Sequence, residues 1–90
     1  MQSEFYLTSI QYDYLSESLR SDLDKIEKII NDENEKKSNI IEKKYIYKSL
    51  LYYFDELEYY QYDFENEIYI MYMPLFAKDM LIYYMLGKLN

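Results

Sequence analysis

One glycine, Gly87, and one proline, Pro74, are all the conformational punctuation that ninety residues carry. A chain built from many short strands needs turn residues every ~8–12 positions. Scarcity of Gly and Pro therefore argues for a few long helices. Hydrophobic periodicity agrees in the first third, where Tyr12, Leu15, Leu19, Leu23, Ile26 and Ile30 recur at steps of three and four, one stripe on a helix. Thr8 with Gln11 three residues later has the form of a capping box. The run NDENEKKSN over 31–39 lacks any apolar residue and reads as a connector.

A second start signal follows in Asn39 and Glu42. From Ile46 the apolar positions Leu50, Tyr53, Leu57, Tyr60 and Phe64 keep helical spacing, so a second long helix is expected to end between Tyr62 and Glu67. Pro74 suits a first helical turn and Gly87 a C-terminal cap, which makes Pro74–Leu86 a third, apolar and central helix. Glu67–Met73 (EIYIMYM) fits either an extended piece or an earlier helical turn. The expected architecture is all-α, a compact bundle of about three helices forming a single small helical domain over 1–90. The alternative is α+β, with a small sheet formed by 5–14 and 67–73 and with Tyr6, Thr8, Ile10, Tyr12 and Tyr14 sharing one face.

The absences remove most catalytic chemistry. There is no Cys, hence no disulfide framework, thiolate nucleophile or Cys-based metal site, and no His, hence no usual acid–base group at neutral pH. A Gly-rich phosphate loop cannot be built from one glycine. Asn31–Glu35 superficially has the form of a calcium loop but lacks its glycine and its bidentate Glu. Asp22 and Asp24 alone do not make a metal site. The expectation is a non-enzyme with no catalytic, cofactor-binding or metal-binding residues.

Residues 68–86 are the most apolar stretch, yet Lys78 and Asp79 sit at its centre, each costing ~2.5–3.5 kcal/mol in a bilayer. Met1–Tyr14 carries no base and so lacks the positive region of a signal peptide. A soluble, cytoplasmic protein with no membrane association is expected.

Charge is uneven around a net −7. Residues 1–24 hold five acids against Arg20, residues 25–48 hold seven lysines against five acids, and residues 49–90 hold seven acids against two lysines. Asp55, Glu56, Glu58, Asp63, Glu65 and Glu67 fall within thirteen residues that contain no base. Placed on a helix rising 1.5 Å per residue, they would space charge at about 3.3 Å along the axis, close to the ~3.4 Å of one DNA strand. On a helical wheel Tyr52, Asp55, Tyr59 and Tyr62 gather opposite the apolar stripe, flanked by Glu56, Asp63, Glu58 and Glu65. Tyrosine supplies large, rigid contact area, and surrounding carboxylates steer toward a basic partner.

The functional expectation is a small acidic protein-binding inhibitor that blocks the basic nucleic-acid-binding surface of a partner, with carboxylates standing in for phosphates and tyrosines for bases. In composition the chain is similar to the short acidic proteins that phages and other mobile elements carry against host nucleases. The partner expected is a basic protein, a nucleic-acid-binding enzyme. Partner-binding residues are Tyr52, Asp55, Glu56, Glu58, Tyr59, Tyr62, Asp63, Glu65 and Glu67. Direct nucleic-acid binding is not expected, because Glu33, Glu35 and Glu42 interleave with the only basic cluster, Lys36, Lys37, Lys43, Lys44 and Lys48. Two alternatives stand beside this reading. One is a helical homo-oligomeric assembly protein, at its smallest a homodimer, and the other an antitoxin-like regulatory partner.

Overall fold

The computed structural model describes residues 2–33 and 38–87. Strand β1 (Gln2–Thr8) leads without a loop into helix α1 (Ser9–Glu33), and α2 (Ser38–Asp55) follows. A 3₁₀ turn (Leu57–Tyr59) then enters strand β2 (Tyr60–Asp63), which is joined by a tight hairpin to β3 (Ile68–Pro74), and α3 (Leu75–Met85) closes the fold. Of the expected connector at 31–39, residues 34–37 lie outside the described residues, and with them Lys36 and Lys37 of the basic cluster.

The fold is mixed α+β, which corrects the expected all-α bundle. The sheet is antiparallel with order β1-β3-β2, so the last strand in sequence is the central one. Phe5 pairs with Met71 and Leu7 with Tyr69 across β1–β3, while Tyr60 pairs with Met71 and Tyr62 with Tyr69 across β2–β3. Side chains alternate across a strand. Phe5, Leu7, Tyr60, Tyr62, Tyr69, Met71 and Met73 therefore share one face, and Glu4, Tyr6, Thr8, Gln61, Asp63, Ile68, Ile70 and Tyr72 share the other. The first face holds the buried Leu7, Met71 and Met73, and the second carries Glu4, Tyr6, Thr8 and Gln61 in the open. All three helices pack on the first face, and their core residues are Leu15, Leu19 and Ile26 of α1, Tyr47, Leu50, Leu51 and Phe54 of α2, and Ala77 and Leu81 of α3.

Three junctions explain how the chain manages with so little Gly and Pro. At β1–α1 the Thr8–Gln11 box forms as expected: Gln11 N–H donates to Thr8 Oγ1 (3.1 Å) and Thr8 N–H to Gln11 Oε1 (3.0 Å). Two orphan donors at the helix start are thereby satisfied with no glycine. At β2–β3 the turn is built on Asp63, whose Oδ1 accepts from the N–H groups of Glu65 (3.0 Å) and Asn66 (3.3 Å), and whose Oδ2 accepts from Asn66 Nδ2 (2.8 Å). Such an Asx turn substitutes for the usual Gly-based hairpin. Pro74 ends β3 and serves as the N-cap of α3, where its missing N–H costs nothing. Gly87 follows α3 at φ 71 and donates its N–H to Tyr84 O (3.0 Å), the glycine terminator expected from sequence.

The hairpin closes on Glu67, the only non-glycine at positive φ (53°) among the described residues. A Cβ in this region costs roughly 1–2 kcal/mol. Its side chain is exposed, and its carbonyl accepts from both Ser9 N–H (3.0 Å) and Ser9 Oγ (2.9 Å), bonds that need no particular side chain at 67. Glu67→Gly is therefore expected to stabilise the fold by about 0.5–1 kcal/mol, seen as a higher urea midpoint with an unchanged slope. A lower midpoint would contradict the backbone assignment.

The second helix ends at Asp55, earlier than its expected end between Tyr62 and Glu67. Glu56 leaves helical geometry at φ −90, ψ 125. From Tyr60 the chain pairs with β3 instead, tyrosines being strong strand formers and Tyr60 and Tyr62 lying opposite Met71 and Tyr69. The segment expected at 5–14 as a strand is divided: 5–8 belong to β1 and 9–14 to α1. The alternative sheet pairing between the N-terminus and 67–73 is thus half correct, and β2 has no counterpart in either expected architecture. The third helix is marginal, not central: only Ala77 and Leu81 of α3 are buried, while Leu75, Phe76, Tyr83 and Met85 are exposed. Of the four methionines in the apolar stretch 68–86, Met71 and Met73 are fully buried and Met80 packs against the core, but Met85 is 43% exposed. No helix among the described residues is long and apolar enough to cross a membrane.

Candidate functional site

The nine candidate residues do not form one helix face. They run from the last turn of α2 through the 3₁₀ turn and along β2, an edge of the sheet, to the tip of the β2–β3 hairpin. The charge spacing computed for a helix therefore has no counterpart, and a helical copy of phosphate spacing is excluded by the geometry.

At the α2 end, Tyr52 and Tyr59 do come together, with ring centroids 5.4 Å apart. Tyr53 completes a three-ring cluster, 5.0 Å from Tyr59 and 5.8 Å from Tyr52, both nearly edge-on. The Tyr59 phenol is held above its usual pKa, first by hydrogen bonding with Tyr52, then by desolvation and by Glu58. Glu56 and Glu58 are exposed beside this cluster. Asp55 is exposed as well but is already engaged, forming an ion pair with Arg20 of α1.

At the hairpin end, Glu65 and Glu67 are exposed. Asp63 is a turn-builder whose carboxyl the Asn66 side chain and the turn amides hold below the usual range. Tyr62 faces the helices, 4.6 Å from Tyr69 and with its hydroxyl 3.2 Å from Ser9 Oγ. It leaves the outward set, because strand alternation places it with Tyr60 on the helix-covered face. The two acidic clusters are separated by the four residues of β2, about 13 Å of strand.

Two residues that the helical wheel assigned to the core are the most exposed large hydrophobics of the segment: Leu57 at 79% and Phe64 at 82%. Leu57 sits in the 3₁₀ turn between Glu56 and Glu58, and Phe64 sits at the hairpin tip between Asp63 and Glu65, its ring 4.7 Å from Tyr62. Ile10, also 82% exposed, follows Ser9, the residue that bonds Tyr62 and Glu67, so it lies at the hairpin end of the molecule. The signal that could have located Phe64 is the Asp63-x-x-Asn66 turn between YQYD and IYIMYM, two runs of strand formers. Chemically this edge offers carboxylates and exposed apolar side chains next to one another.

Comparisons with protein-family models, with curated proteins and with solved structures return no match to this chain.

Proposed function

We propose that this chain is a small acidic protein-binding inhibitor that docks its β2 edge on the basic nucleic-acid-binding surface of a partner enzyme. The observation that carries the reading is the exposure of Leu57 and Phe64 within a segment of acids that contains no base from 49 to 77. The buried core of a protein interface is apolar and enriched in aromatic side chains, a character that Leu57 and Phe64 can supply. Glu56, Glu58, Glu65 and Glu67 around them supply long-range attraction to a basic groove and raise the encounter rate. Competition with DNA or RNA follows from occupancy and charge, not from imitation of a helical phosphate ladder. The site of action under this proposal is the cytoplasm.

The test is capture of partners by the tagged chain along a salt gradient, comparing the natural sequence with Glu56→Lys, Glu58→Lys, Glu65→Lys combined. These three positions avoid Asp55 and Asp63, whose reversal would disturb the Arg20 pair and the hairpin turn. The expected result is a nucleic-acid-binding enzyme that elutes at moderate salt, loses its DNA or RNA when this protein occupies its basic surface, and binds the triple variant at least tenfold more weakly. Undiminished binding by the variant would refute the proposal. Capture insensitive to salt would instead favour an antitoxin-like partner. Recovery of untagged copies alone would favour the homo-oligomer, for which the uncovered sheet face around Tyr6, Ile70 and Tyr72 is the structural argument.

A further inference from the structure

Away from the β2 edge, the middle of α1, the middle of α2 and the end of α3 converge on a hollow of about 200 Å³. Its polar wall is a hydroxyl chain ending on a carboxylate. Tyr84 OH lies 2.7 Å from Asp22 Oδ2 and is in hydrogen-bond contact with Ser18 Oγ. Since Asp22 only accepts when ionised, Tyr84 donates to it and Ser18 donates to Tyr84. The chain thus points its donors toward Asp22 and fixes the carboxylate in place. It leaves the second oxygen of Asp22 and the lone pairs of Ser18 as acceptors.

The Asp22 carboxylate has no ion pair among the described residues, whose ion pairs join Arg20 to Asp55 and Lys44 to Glu27. The remaining walls are aromatic and aliphatic. Tyr47 and Tyr84 meet at 71° with centroids 5.6 Å apart, Tyr14 stands 69% exposed at the margin, and Leu15 and Met85 line the apolar side. Burial raises the Tyr84 phenol well above its ordinary pKa, as does Asp22 to a smaller extent, so this hydroxyl stays protonated through the physiological range and is a fixed donor, not a base.

Carboxylate, hydroxyl acceptors, near-perpendicular rings and an aliphatic strip together select one kind of group: a cation with several N–H donors on an apolar stem. We infer that this hollow is a binding site for an alkylammonium group, with the head on Asp22 and Ser18, the rings of Tyr47, Tyr84 and Tyr14 around it, and the stem along Leu15 and Met85. Cation–π attraction and a charge-assisted hydrogen bond both act on such a head. Two sources share this chemistry: the lysine side chain of a partner protein, and a free small amine. The inference does not depend on the β2-edge reading, since none of Glu56, Glu58 or Glu65 lines the hollow.

The test is an amide-resolved NMR titration of the whole chain with n-butylammonium, with a capped lysine amide, and with n-butanol as the uncharged control. Saturable shifts at Ser18, Asp22 and Tyr84 are expected for the cations, with n-butanol about tenfold weaker or worse. Asp22→Asn keeps an acceptor for Tyr84 but removes the charge, and is expected to weaken the cations about tenfold while leaving n-butanol unchanged. Tyr14→Ala, at an exposed position that the core does not use, is expected to weaken them several-fold. Equal binding of n-butanol and n-butylammonium, no effect of Asp22→Asn, or unsaturable shifts spread over all acidic positions would each overturn the assignment. If the assignment holds, comparable affinity for the capped lysine points to a partner's side chain, and binding of n-butylammonium alone points to a free amine. Loss of this site with intact capture through the β2 edge, or the reverse, separates the two proposals.

Discussion

Phe54→Ala is expected to lower the free energy of unfolding by about 3–5 kcal/mol, the largest effect of any single side chain in this fold. Phe54 is 1% exposed in the last turn of α2, with Tyr12 packed against it at 5.0 Å. Tyr12 in turn stacks on Tyr69 at 3.7 Å with the rings 7° from parallel, and donates its hydroxyl to the Phe54 carbonyl. Removing the Phe54 ring therefore takes the support from a column that ties α2, α1 and β3 together. A domain of this length has ~0.05–0.15 kcal/mol of stability per residue, so the loss consumes a large share of the total. Urea titration followed by circular dichroism measures it directly, with Phe54→Leu as the volume-sparing control at about 1.5 kcal/mol or less. A loss under about 1.5 kcal/mol for the alanine variant would mean that the aromatic column does not anchor the helices to the sheet.

Alkaline pH is expected to destabilise the protein steeply. The Tyr12 and Tyr84 phenols are both pushed well above the ordinary value of 10.0, in each case chiefly by burial. For Tyr12 the neighbouring Tyr60 and Tyr69 add to the effect; for Tyr84, Ser18 works against it and Asp22 adds to it. Tyr47 and Tyr69 are shifted in the same direction. A group whose folded pKa is raised keeps its proton in the native state after the unfolded chain has lost it. The associated stability is complete below pH 10 and declines as pH rises toward the folded values. The limiting slope is about 1.4 kcal/mol per pH unit for each tyrosine, reduced by the partial solvent access of both rings. Urea unfolding measured between roughly pH 9 and pH 11 is expected to show this fall, and Tyr12→Phe with Tyr84→Phe to flatten it. An equal slope in the double variant would place the alkaline lability elsewhere.

What was legible in the sequence was whatever depended on neighbours along the chain. The apolar stripe from Tyr12 to Ile30 folds as α1, and Thr8–Gln11 caps it. Pro74 and Gly87 bracket α3 as their backbone preferences dictate. Where the reading failed, two periodicities competed within one stretch. Leu50, Tyr53, Leu57, Tyr60 and Phe64 satisfy a helical repeat, yet Tyr60–Asp63 and Ile68–Pro74 are strands. In β3 both faces carry apolar residues, so the alternation that marks a strand is masked. Glycine scarcity misled for a related reason. Thr8, Asp63 and Pro74 make the turns through side-chain hydrogen bonds and a fixed φ, and Glu67 takes the left-handed position that glycine usually fills.

The candidate docking surface divides in the same way. Its acidity, the presence of Tyr52 and Tyr59, and the absence of any base between 49 and 77 are properties of the sequence and survive any fold. Which side chains face water was decided by β2 pairing with β3. That pairing turned Tyr62 inward, left Leu57 and Phe64 in solvent, and gave Asp63 to the hairpin turn. The Asp22–Tyr84–Ser18 chain is wholly a tertiary product, since it joins residues more than sixty positions apart. Local hydrogen bonds and turn preferences act over three or four residues and can be read directly. Strand partners and pocket walls depend on which distant segments bury one another's apolar faces, and that balance is struck only when the whole chain folds.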